Sequence, residues 1–343
     1  MTTRFHPRAV FGRFAPRGKG RSLLAGLLVA VLGTAAAGGA AAADKPRHIG
    51  LDYAYYNPVS LLIKEKGWME EAFAKDGIAI RWVHSQGSNK ALEFLRGGSI
   101  DFGSTAGSAA LVGRANGLPI QAAYVYSKPE WTALVARKDS GIASVRDLKG
   151  KRVAVTRGTD PHIFLLRALD AVGLSERDIT PVLLQHQDGY RALQSGQVDA
   201  WAGLDPHMAR AEVEIGAVLF HRDAELNTYG ILNVRDEFAK AHPELVRRVI
   251  EVYERGRNHA LANPEELRKV LETAAKIPPE VAALQLKERT DLRDPRVGAA
   301  HRANFLATAE VLRKIGVIKP DVSVSRLVDE YTAPLPGVDV AVK

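Results

Sequence analysis

Two short turns hold the residue types best suited to gripping a small anion. One is Thr156-Arg157-Gly158-Thr159-Asp160-Pro161. It follows the β-branched run Lys151-Arg152-Val153-Ala154-Val155 and leads into His162-Ile163-Phe164-Leu165-Leu166-Arg167-Ala168-Leu169, a helix former closed by Gly173. Asp160 stands where an N-cap belongs and Pro161 at the first helical position. A strand turning through glycine into a helix leaves free N–H groups off the strand's carboxyl end, where an anion binds. An ordinary βα corner with no ligand has the same sequence. The other turn is Gly103-Ser104-Thr105-Ala106-Gly107-Ser108, whose hydroxyls and amides can hold an oxyanion without a formal charge or cap a helix. Asp205-Pro206 repeats the cap-plus-proline device, so Asp205 reads as a cap, a ligand contact, or both. Tyr53, Tyr55 and Tyr56 form either a ligand wall or a packed loop.

Catalytic constellations are thin. Gly103 to Gly107 has Thr105 where a nucleophile elbow needs Ser. No His-x-x-x-His pair and no cysteine supports a metal site, and no dinucleotide glycine fingerprint follows the first strand. The expectation is a protein without catalytic residues, metal or cofactor. The lack of cysteine also excludes disulfides, a thiol nucleophile and a lipid anchor on an N-terminal Cys.

The chain of 343 residues is 46% hydrophobic and 25% charged, which suits a globular protein of one or two domains. Residues 1–21 hold Arg4, Arg8, Arg13, Arg17, Lys19 and Arg21 and no acid. An apolar run from Ser22 to Thr34 follows, then Ala41-Ala42-Ala43 before Asp44. This pattern is a cleaved secretory signal peptide at 1–43, its apolar core short for a membrane span. The formal charge of +8 falls to +2 without those six basic residues, which argues against nucleic-acid binding. The expected location is the periplasm, with no lipid anchor.

The elements that must position the turns repeat. Arg47 to Asp52 reads as a strand, Asn57-Pro58 as cap and proline, Val59 to Lys66 as a helix stopped by Gly67. That grammar returns at Asp160-Pro161, offset by 103 residues. Ile78 to Val83 is a second strand, and Gly87-Ser88-Asn89 opens the next helix. Ile100-Asp101 and Val198-Asp199 then match at an offset of 98, each after a helix and a glycine turn. Two βαβαβ units of one design follow, each aiming helix N-termini off the carboxyl ends of parallel strands. The runs at 132–137 and 229–234 read as crossings between them, forming a hinge. From Pro243 onward the chain is helical, with Leu245, Val246, Val249, Ile250 and Tyr253 on one stripe. Pro334-Leu335-Pro336 begins a loose tail.

Residues 47 to 330 resemble periplasmic substrate-binding proteins of ABC importers, in the nitrate/taurine/alkanesulfonate group. The resemblance rests on Ile63-Lys64-Glu65-Lys66-Gly67-Trp68, Gly98-Ser99-Ile100-Asp101-Phe102-Gly103-Ser104-Thr105, Leu148-Lys149-Gly150-Lys151-Arg152-Val153-Ala154-Val155, Leu165 to Leu169, and Gly196-Gln197-Val198-Asp199-Ala200-Trp201 with Asp205-Pro206, in that order. It implies an α/β, two-lobed type II periplasmic binding protein. Lobe 1 would hold 44–136 and 230–343, and lobe 2 would hold 137–229. It implies capture of an aliphatic sulfonate or similar small oxyanion, delivery to a permease driven by a cytoplasmic ATPase, and a monomer. The ligand-facing positions carried over are Tyr55, Asn57, Gly87, Ser88, Thr105, Ala106, Gly158, Thr159, Asp160 and Asp205. Two departures bear on the solute. The group usually has a neutral or hydroxyl residue where Asp160 stands, so Asp160 either caps its own helix or signals a ligand with an amino group. Leu204 replaces a frequent Trp, which enlarges the cleft. The alternatives are a zwitterionic or neutral nitrogen solute in the same role, or an enzyme on the same fold.

Overall fold

Apolar runs bounded by turn residues become the strands of two separate sheets. A computed structural model describes residues 45–338. The expected signal peptide at 1–43 lies outside the described residues. In chain order the strands are β1 (His48–Tyr53), β2 (Ala79–His84), β3 (Phe102–Ala106), β4 (Ile120–Pro129), β5 (Leu134–Ala136), β6 (Arg152–Val155), β7 (Thr180–Leu183), β8 (Ala200–Ala202), β9 (Val218–His221), β10 (Gly230–Arg235) and β11 (Thr290–Asp291).

The first sheet has the order β11-β4-β10-β3-β1-β2 and the second β7-β6-β8-β5-β9. In the first, β1 runs parallel to β2 and β3. In the second, β6 runs parallel to β7 and β8. The internal repeat is therefore one of topology, and it reaches the side chains. Asp101 accepts a hydrogen bond from Gly50 N on β1 at 2.9 Å, and Asp199 accepts one from Arg152 N on β6 at 2.8 Å. Each repeat aspartate ties down the first strand of its own unit.

In each sheet the strand that directly follows a crossing is inserted antiparallel among the others. β10, reached only after the second sheet, lies between β3 and β4. β5, the first strand of the second sheet, lies between β8 and β9. This corrects the expectation for 132–137. Leu134 to Ala136 is an interior strand of the second sheet, so the first sheet is left at Pro129. Burial on both faces is the reason: Leu134 and Ala136 join one core and Val135 the other.

Both sheets carry helices on each face. The helix Pro243–Ala262 packs Leu245, Val246, Val249, Ile250 and Tyr253 into a core of the first sheet, as its stripe requires. Leu335, expected in a loose tail, is buried in the same core. No helix among the described residues is long and apolar enough to cross a membrane.

Candidate functional site

The carboxyl ends of β1, β2, β7 and β8 enclose a cavity of about 260 Å³. From the first sheet come Tyr55 and Tyr56 after β1 and His84, Ser85 and Gln86 at the end of β2. From the second come Gln185 to Asp188 after β7 and Leu204 to His207 after β8. Two helices start in its wall, His186–Gln194 and His207–Ile215, and a third, Ser88–Arg96, begins two residues beyond the wall residue Gln86. First-turn amides have no partner within their own helix, so a helix start carries donors and partial positive charge. In the His207 helix two of these amides are already taken, Met208 N by Leu204 O and Ala209 N by Asp205. A larger groove of about 470 Å³, near Lys128, Leu261 and Arg268, opens on the outer side of the first sheet's helices and touches none of these strand ends.

Among the sequence-selected positions, Tyr55 and Asp205 line the cavity. Gly87 stands at its edge, where a Cβ would come within 3.0 Å of His186 Nε2. Ser88 Oγ accepts from Ala106 N at 3.0 Å, which joins the Ser88 helix to the end of β3. Asn57 is the helix cap its sequence suggests, accepting from Ser60 N, and its amide donates to Ser104 Oγ at 2.8 Å. Thr105 Oγ1 accepts from Asn233 at 2.8 Å inside the sheet. Ala106 is fully buried. Gly158 takes a left-handed turn (φ 78°) beside Asn89. Thr159 holds the N-cap position and donates to Thr156 O at 2.6 Å.

Asp160 fits neither reading of its carboxylate. It accepts from Trp131 Nε1 at 2.8 Å, Thr228 N at 3.1 Å, Thr228 Oγ1 at 2.9 Å, and Ser108 Oγ. Trp131 and Thr228 belong to the two crossings, and Ser108 to the helix after β3. The hydroxyls that the turn at 103–108 was expected to offer an anion are engaged within the protein: Ser108 Oγ by Asp160, Ser104 Oγ by Asp52, and Thr105 Oγ1 by Ala106 O. Asp205 is likewise turned inward. It caps its helix by accepting from Ala209 N at 2.9 Å, and it pairs with the buried Arg289 at 3.2 Å. Both aspartates that motivated an amine-bearing solute are already partnered.

Among the described residues, the cavity wall contains no lysine or arginine. Its three histidines are held neutral. Burial pushes His186 down to about 3, with His207 adding to the effect. Burial pushes His207 down to about 4, helped by Arg210, Arg191 and His84. His84 is also lowered by burial, and its ring lies between Tyr53 and Tyr55 with centroids at 5.1 and 4.6 Å. Burial pushes Asp205 up to about 6 against the pull of Arg289. What binds here meets amides, imidazoles and aromatic rings, together with the carboxyl groups of Asp188 and the Arg289-paired Asp205.

Sequence reasoning passed over the histidines and glutamines. The internal repeat carried the available signal: Gly87 and Gln185 hold the N-cap position of the helix after the second strand of a unit, and Ser88 and His186 are the first residues of those helices, so selecting Gly87 and Ser88 pointed to Gln185 and His186.

Among known proteins, the chain is 27% identical over 294 residues to a protein of Escherichia coli (strain K12) named for binding aliphatic sulfonates, covering 85% of this chain and 92% of that one. A Bacillus subtilis (strain 168) protein named likewise is 30% identical over 196 residues, 56% of this chain and 59% of that protein's length. Among solved structures, the alkanesulfonate-binding protein SsuA of Xanthomonas axonopodis pv. citri, bound to MOPS, superposes with a TM-score of 0.75 at 27% identity. That superposition covers 83% of this chain and 99% of that one, so the two-sheet architecture is that of the periplasmic binding proteins. The family model described as NMT1/THI5 like matches residues 60–267, more than half of the chain, which therefore belongs to that family.

Proposed function

We propose that this protein captures an aliphatic sulfonate, or a similar small oxyanion, and delivers it to an ABC importer. The observation that carries the reading is the cavity between the two sheets, whose wall holds the starts of the helices His186–Gln194 and His207–Ile215, with Ser88–Arg96 beginning just beyond Gln86. Helix amides there would hold the anionic head, while Tyr55, Tyr56 and Leu204 would hold the tail. The sulfonate-binding names of the relatives support the same solute class. The partners under this reading are a membrane permease and its cytoplasmic ATPase. The protein acts as a monomer, in the periplasm, after removal of residues 1–43, and without a catalytic step. Two lobes bounded near the crossings at 130–133 and 222–229 would close on the solute.

A thermal-shift panel tests the solute class. The purified protein, stripped of bound ligand by unfolding and refolding, is heated with taurine, short alkanesulfonates, an arylsulfonate, sulfate, nitrate and pyrimidines. Ligand at about a thousand times its Kd adds about 4 kcal/mol, a shift on the order of ten degrees or less. A shift with a sulfonate and none with sulfate is the expected result. A shift with a pyrimidine and none with any sulfonate would replace the solute and keep the transport role.

A further inference from the structure

His186 is 2% exposed, starts its helix at the cavity wall, and has a tautomer fixed by its neighbours. Thr156 Oγ1 donates its single proton to Leu184 O at 2.7 Å. It also lies 3.2 Å from His186 Nδ1. With that proton engaged, the second contact can form only if the imidazole donates, so Nδ1 carries the hydrogen. Nε2 is then a bare lone pair. It is buried and has no hydrogen-bond partner among the described residues. Burial beside His207 keeps the ring neutral. Gly87 packs directly against it, and a Cβ there would come within 3.0 Å of Nε2 and 2.9 Å of Asn89 Oδ1. Asn89 Oδ1 and Gln185 Oε1 are also buried acceptors without a partner among the described residues.

We propose that His186 Nε2 accepts a hydrogen bond from the solute, so that the protein selects sulfonates bearing an N–H or O–H donor over those with a bare alkyl tail. The inference rests on the sulfonate reading above and deepens it: helix amides take the head, and a neutral acceptor reads the other end. An alkyl tail placed against Nε2 would leave the buried lone pair without a partner, whereas an N–H or O–H would satisfy it. The selectivity comes from an imidazole acceptor and does not involve the two partnered aspartates.

Taurine, isethionate and ethanesulfonate share a two-carbon sulfonate and differ in ending as ammonium, hydroxyl or methyl. Isothermal titration of the purified protein is expected to show taurine or isethionate binding about tenfold or more tighter than ethanesulfonate. In His186→Phe that gap is expected to shrink to about threefold or less. Ethanesulfonate binding as tightly as both others to the unaltered protein would overturn the inference and leave the sulfonate reading standing. Binding of no sulfonate would overturn the sulfonate reading and this inference with it. A ligand-free readout is independent of how the variant folds. Long-range 1H–15N correlation of His186 is expected to show the Nδ1–H form, and an Nε2–H ring in the free protein would overturn the inference.

Discussion

Asp160 receives four hydrogen bonds from three residues of the first lobe and the crossings. A carboxylate so placed ties the helix Asp160–Ala171 to both crossings at once. Asp160→Ala would leave Trp131, Thr228 and Ser108 without their acceptor, and is expected to cost about 3 kcal/mol in chemical denaturation. Asp52 makes a different prediction. Burial pushes its carboxyl up to about 7, against the pull of hydrogen bonds from Ser104. An acid whose folded pKa exceeds its unfolded value stabilises below the unfolded value and loses that contribution as pH rises through the folded one. Asp52→Asn keeps an oxygen for Ser104 and cannot ionise. Its stability relative to the unaltered protein is expected to improve by on the order of 2 kcal/mol between pH 5 and pH 8. Single residues were only partly legible in the sequence. Asn57 and Asp205 announced themselves as caps through the proline that follows each. Asp160 carried the same signature, yet its carboxylate reaches groups remote in the chain, which local sequence does not encode. His84, His186 and His207 are brought together by the fold from far-apart positions; the internal repeat pointed to the turn holding His186, and no local spacing grouped the three.

Strands and helices were more legible, because apolar periodicity acts locally. The segments read at 47–52 and 78–83 became β1 and β2 with a shift of one residue. Where the reading failed, at Leu134 to Ala136, the element type was right and its sheet was wrong. Three apolar residues say that both faces will be buried; they do not say between which neighbours. The start of the Ser88 helix makes a clean test of the cavity. Gly87 has φ 172°, an extended backbone that any residue adopts. Gly87→Ala is therefore expected to fold, with a stability change of about 1 kcal/mol or less, while its methyl crowds His186 Nε2 and Asn89 Oδ1. Sulfonate affinity is expected to drop by about tenfold, read by titration calorimetry beside a melting curve. A change in melting without a change in affinity would separate this turn from the solute.

Across the molecule, the two lobes are joined by charges as well as by chain. Arg289, from the segment leading into β11, pairs with Asp205 and Glu212 near β8, and Glu130 pairs with Arg222 at 2.8 Å beside the crossings. Arg289→Met would leave Asp205 buried without its cation and raise its pKa further. The loss of stability is expected to be small at pH 5, where the acid is protonated, and to reach about 3 kcal/mol at pH 8, measured by denaturant titration. Solute capture should respond to salt far less than a surface ion pair does. With no lysine or arginine among the described residues of the cavity wall, sulfonate Kd is expected to change by about threefold or less between 20 and 500 mM salt. A steep dependence would place the head group against surface cations instead. The late return of β10 to the first sheet bears on the order in which this protein can be made. As the chain lengthens from its N-terminus, β3 and β4 are complete long before Gly230–Arg235 exists to join them. The first lobe must wait, its middle open, until the whole second lobe has been synthesised. Its contacts are distant in sequence and slow to form. A nascent chain of this topology stays unfinished, and therefore threadable, for most of its own synthesis.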